Sequence, residues 1–117
     1  MIGKFSAKIQ NAVSALLHQP AACTPELRQR VEAYAARLSG DEREALGIPA
    51  DLEVYVNKVA LHAFQVTDKD IQHLKDVGYS EDAIFEITLC AALGAARSRM
   101  ERGMQALKGA RNAPTHS

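Results

Sequence analysis

The chain has 117 residues, with 14 Lys and Arg balancing 14 Asp and Glu; 47% of residues are hydrophobic and 24% charged. These totals fit one globular domain and exclude a disordered chain, a collagen-like fibre and a basic nucleic-acid tail. Only Cys23 and Cys90 are present, which excludes a disulfide scaffold. With no apolar leader in residues 1–17, the two thiols point to a reducing, cytoplasmic setting. No apolar run approaches the roughly 18 residues of a membrane span, so no membrane partner is expected. The 20 alanines, set against 5% aromatics and no Trp, predict an all-α domain of about five closely packed helices. Ala favours helices because it loses no side-chain entropy there.

The first helix is read from Phe5, Ile9, Val13, Leu16 and Leu17 at helical spacing, and Pro20 ends it. Thr24-Pro25-Glu26 starts the second: the Thr hydroxyl accepts from a free N–H, and Pro lacks the N–H that would be orphaned. Leu27, Val31, Tyr34 and Leu38 repeat along one face of it, and Ser39-Gly40 stops it. Residues 39–49 read as a polar linker holding one helical turn. A third helix runs from Pro49 or Ala50 to about Gln65. It has one stripe of Leu52, Tyr55, Val56, Val59 and Ala63 and a second apolar face at Val54 and Leu61. Two apolar faces predict a central or interface position.

Thr67 and Asp70 form a capping box, with Val66 and Ile71 as its hydrophobic staple. Gly78 stops this short fourth helix in the left-handed conformation, and Ser80 caps the fifth. The fifth helix runs to about Lys108, acidic at its start and basic at its end, as the helix dipole favours. Its apolar middle, Ala83 to Ala96, reads as the buried axis of the domain. Gly94 within it costs about 1 kcal/mol relative to Ala, so a close backbone approach by another helix is expected there. The tail, residues 109–117, is expected to fray.

Chemistry-bearing residues are sparse. His18, Cys23, His62, His73 and Cys90 show no C-x-x-C, H-x-x-x-H or H-E-x-x-H spacing, so neither a metal nor a cofactor is expected. Cys90 reads as a small core residue, and Cys23 as an exposed, oxidisable thiol in a connection with no neighbouring cation to lower its pKa. His62, beside Tyr55 and Val59 on the third helix, is either a partly buried acid–base group or a structural histidine. Asp51 and Glu53 open the same helix, where they also suit its dipole. Arg97, Arg99, Arg102, Lys108 and Arg111 cluster on the fifth helix. The neutral chain lacks the basic excess that nucleic-acid binding needs.

The segment 52–107 resembles the AhpD-like and carboxymuconolactone decarboxylase superfamily. The resemblance is carried by Tyr55-Val56-Asn57-Lys58-Val59-Ala60, Val66 to Ile71, Gly78 to Glu86, Ala91 to Ala95, and Arg99, Glu101 and Leu107. It implies a single all-helical AhpD-like domain assembling as a homo-oligomer: a dimer, trimer or hexamer. Redox-active members carry C-x-x-C and a following His, served by a relay carboxylate. Aligned on Gly78, those positions fall at Ala63, Val66 and near Asp70, with Asp51 or Glu53 near the relay. Ala and Val form no thiolate, so the peroxidase mechanism is not expected.

Decarboxylase-type members instead apply acid–base chemistry to a small lactone acid. On that pattern His62 is the candidate acid or base, with Asp51, Glu53 or Asp70 as partner. Arg97 or Arg99 would orient a substrate carboxylate beside Tyr55. Three readings follow: a cofactor-free enzyme or binder of a small organic acid, a non-catalytic oligomeric accessory module, or residual alkylhydroperoxidase activity through Cys23 or Cys90.

Overall fold

The computed structural model describes the backbone of residues 2–41 and 44–112 and the side chains of residues 7, 8, 10–41 and 44–110. The side chains of Phe5 and Ile9, and the tail 113–117, lie outside the described residues. Five α-helices follow in order: α1 (Ile2–His18), α2 (Pro25–Leu38), α3 (Ala50–Leu61), α4 (Asp68–Val77) and α5 (Glu81–Asn112). The described residues contain no strand, and none of these helices is long and apolar enough to cross a membrane.

The helix starts form where their local chemistry requires. The Thr24 hydroxyl accepts from Leu27 N–H at 3.2 Å, with Pro25 opening α2. The Asp70 carboxylate reaches back to Thr67 N–H at 2.9 Å. Ser80 Oγ accepts from Ala83 N–H at 3.1 Å to start α5. Gly78, at φ 119°, turns the chain out of α4 while its N–H returns to Leu74.

The core lies chiefly between α2 and α5. Val31, Ala35 and Ala36 of α2 face Ile87, Ala91 and Ala95 of α5, with Leu52 and Val56 of α3 closing the side. Gly94 permits this contact. A Cβ there would stand 2.1 Å from the Glu32 carbonyl oxygen and 3.0 Å from Ala36 N.

Arg28, 2% exposed, is an unusual member of this interior. Its guanidinium donates to the Leu16 and Gln19 carbonyls, satisfying oxygens at the C-terminal end of α1 that the helix leaves free. Glu86 of α5 sits 3.9 Å from Arg28 Nε and accepts from Ala22 and Cys23 N–H at 3.0 and 2.8 Å. Partly buried Glu86, beside buried Arg28, thus ties the α1–α2 connection to α5.

Three elements differ from sequence expectation. Helix α3 stops at Leu61 rather than Gln65, and a 3₁₀ turn over Ala63–Gln65 follows. Arg99 of α5 donates to the Ala60 carbonyl at 2.6 Å, the acceptor that a continuing helix would offer to Phe64 N–H. Residues 44–49 are irregular instead of forming a helical turn, and Ile48 plugs the core from there. Helix α5 continues past Lys108 to Asn112. Its middle is also two-sided: Ile87, Cys90 and Ala91 are buried, whereas Phe85 and Leu89 face outward.

Candidate functional site

Helices α3, α4 and α5 converge on Tyr55. Its ring is almost fully buried, and its hydroxyl lies 2.6 Å from Thr88 Oγ1. Thr88 donates its single hydroxyl proton to the Ile84 carbonyl at 2.7 Å, the usual back-bond of a helical Thr. Tyr55 is therefore the donor in its pair with Thr88. The Tyr55 oxygen keeps lone pairs and has no proton to offer a third group.

On one side of Tyr55 lies a groove of about 410 Å³, walled by Ile71, Ile84, Phe85 and Leu89. That volume falls in the range of small-molecule sites, about 300–1,000 Å³. Lys75 and Glu81 stand at its edge, paired at 2.5 Å. A second cleft, of about 180 Å³, shares Tyr55 and is otherwise lined by residues that include Asp51, Val54, Asp70 and His73. It is less than half the size of the groove, with room for about six water-sized groups at about 30 Å³ each.

Both carboxylates of the small cleft are engaged. Asp51 accepts from the Tyr79 hydroxyl at 2.8 Å; burial first, and then this bond, push Tyr79 up to about 12. Asp70 accepts from Lys58 Nζ at 2.8 Å and from Thr67 N–H. Those bonds hold Asp70 below the ordinary carboxylate range, which makes it a poorer proton acceptor at neutral pH. No family model, curated protein or solved structure matches the chain.

The structure gathers Asp51, Tyr55 and Asp70 around one cleft and leaves the other candidates elsewhere. His62 caps the C-terminus of α3, exposed, with its ring edge-on to Phe64 at 6.2 Å. It leaves the Tyr55 stripe because the helix that would have carried it there ends one residue earlier. Glu53 is exposed and lines neither the groove nor the small cleft. Arg97 pairs with buried Glu32 at 2.8 Å, and Arg99 is spent on the Ala60 carbonyl. Sequence reasoning missed Lys75, Phe85, Thr88 and Leu89. It also missed the place of His73, although the i, i+3 spacing from Asp70 puts both on one face of α4.

Both thiols are buried, Cys23 against expectation, because α5 packs over the connection that carries it. Cys23 Sγ contacts the Ala83 carbonyl at 3.5 Å, and burial, reinforced by Glu86, pushes it up to about 11. Burial pushes Cys90 up to about 12. Among the described residues no three His, Cys, Asp or Glu side chains converge as metal ligands.

Proposed function

We propose that this chain is an AhpD-like, homo-oligomeric protein that binds a small organic acid without a cofactor. The observation that carries the reading is the 410 Å³ groove beside Tyr55, an apolar trough with a cation at its edge. The apolar body of the ligand lies against Ile71, Ile84, Phe85 and Leu89. Its carboxylate takes the place of Glu81 on Lys75. That exchange is inexpensive, because an exposed ion pair is worth only about 0–1 kcal/mol. A hydroxyl on the ligand donates to the Tyr55 oxygen, which keeps free lone pairs.

Binding is favoured over catalysis because Asp51, Asp70 and His73 line the separate cleft. Glu81 is held below its ordinary range by Lys75, which weakens it as a base. Peroxide reduction is disfavoured by the raised pKa of both thiols. The family reading is supported by the sequence resemblance over residues 52–107.

A second reading, an oligomeric accessory module with no ligand, is favoured by the apolar outer face of α5. A thermal-shift panel of small carboxylic acids, their hydroxylated forms and the matching alcohols separates the two. The binding reading expects a shift with hydroxylated acids that Lys75→Met removes for acids and Tyr55→Phe reduces only for hydroxylated ones. No shift with any compound would overturn it and leave the module.

A further inference from the structure

We infer that a second copy of this chain docks antiparallel along the outer face of α5, about a two-fold axis passing beside Ala96. The inference rests on the homo-oligomer reading above and adds the surface, the direction and the register. At 3.6 residues per turn, Phe85, Leu89, Leu93, Ala96, Met100, Met104 and Leu107 fall within an arc of about 100°. This arc lies opposite the buried face of Ile87, Ala91, Gly94, Ala95 and Ser98. Phe85, Leu89, Met100, Met104 and Leu107 are large apolar side chains left 43–57% exposed.

The direction follows from the order of residues along the seam. Reversing the helix about position 96 lays Phe85 on Leu107 and Ala96 on itself, and brings Leu89 and Leu93 within one residue of Met104 and Met100. Bulky residues then meet at both ends and small ones at the crossing, where Ala92 and Ala96 are exposed. Such a face is self-complementary, as a two-fold interface must be.

Charge selects the same direction. Helix α5 begins with Glu81 and Asp82 and carries Lys108 near its end. Antiparallel docking sets Lys108 beside the partner's acidic first turn and opposes the two helix dipoles. Parallel docking would stack like on like.

Area is sufficient. Five large side chains about half exposed, with the alanines between them, present about 600 Å² per protomer. The total of about 1,200 Å² is the lower end of specific interfaces. The need is also physical: every described side chain from Arg99 to Ala110 is exposed, and an isolated helical arm of that length is marginal in water. Because Phe85 and Leu89 belong to both seam and groove, the partner subunit's Met104 and Leu107 would wall the groove's open side.

Sedimentation velocity of the whole chain, combined with disulfide trapping, tests this. Ala96→Cys should give a covalent dimer rapidly under mild oxidation, while exposed Glu101→Cys, on the flank, should not. Met100→Glu with Met104→Glu should weaken self-association at least about a hundredfold with helical circular dichroism retained. An oligomer in which Glu101→Cys is trapped and Ala96→Cys is not would overturn the docking geometry and leave the homo-oligomer reading standing. A chain monomeric at every concentration would overturn both. A monomer that instead co-sediments with phosphatidylserine vesicles would assign this face to a lipid surface and overturn the inference.

Discussion

Replacing Gly94 with Ala sets two principles against each other. Helix propensity alone says the change stabilises by about 1 kcal/mol. Packing says the opposite. The new Cβ would sit 2.1 Å from the Glu32 carbonyl oxygen, where ordinary contact begins near 3.4 Å. The obstacle is backbone, so no rotamer change relieves it, and α2 must retreat by about 1 Å. A gap of that size forfeits roughly a quarter to a half of each dispersion contact across the interface. Overpacking usually costs about 1–3 kcal/mol, and a backbone obstacle in the largest interface of the core belongs at or above the top of that range. The expected net loss is about 2–4 kcal/mol, a large part of a typical stability of about 5–15 kcal/mol. Urea denaturation reads it as a fall in midpoint of about 1–2 M at an ordinary slope. Gly103→Ala and Gly109→Ala, where an added Cβ meets nothing within 4 Å, serve as controls and should gain up to about 1 kcal/mol. A Gly94→Ala variant as stable as these controls would refute the packing argument.

The remaining expectations concern buried and capping groups. Arg28→Met should cost about 3–5 kcal/mol, because it strands Glu86 and the free carbonyls of α1; thermal unfolding checks it, and a change within 1 kcal/mol would contradict the assigned role. Asp70 is depressed in the folded chain, so its contribution is present above its unfolded value of about 3.8 and lost as pH falls through the lower folded value. The stability gap between wild type and Asp70→Asn, followed by acid titration, should therefore be full at pH 6 and close at pH values well below 4. With pKa values of about 11 and 12, Cys23 and Cys90 should resist a thiol reagent at pH 8. Both should react at once in denaturant, and rapid native labelling of either would show an exposed thiolate.

What was legible in the sequence was local. Thr24, Thr67 with Asp70, Gly78 and Ser80 announce helix ends through groups three or four residues away, and those ends form as read. Gly94 was legible for a different reason: a costly residue inside an apolar helix implies a neighbour that needs the space. The end of α3 was illegible because no local stop signal marks it, and the Arg99 side chain that meets its last turn comes from 39 positions away. The groove was hidden for the same reason, since Tyr55 and Thr88 are 33 residues apart. Arg28 was missed because a charged side chain reads as surface until the carbonyls it satisfies are seen. His62 fell with the misplaced helix end, since one residue of helix decides whether it shares the Tyr55 stripe.

The two faces of α5 also set different rules for sequence change. Substitutions at Ile87, Ala91, Gly94, Ala95 and Ser98 disturb the protomer itself. Those at Phe85, Leu89, Met100, Met104 and Leu107 leave the protomer intact and act only when another surface covers them. A saturation survey of α5 scored once for abundance and once for self-association would separate these sets. The abundance score should dip along one helical face and the association score along the opposite one. Fold and assembly would then be read as two signals of the same helical period, half a turn out of phase.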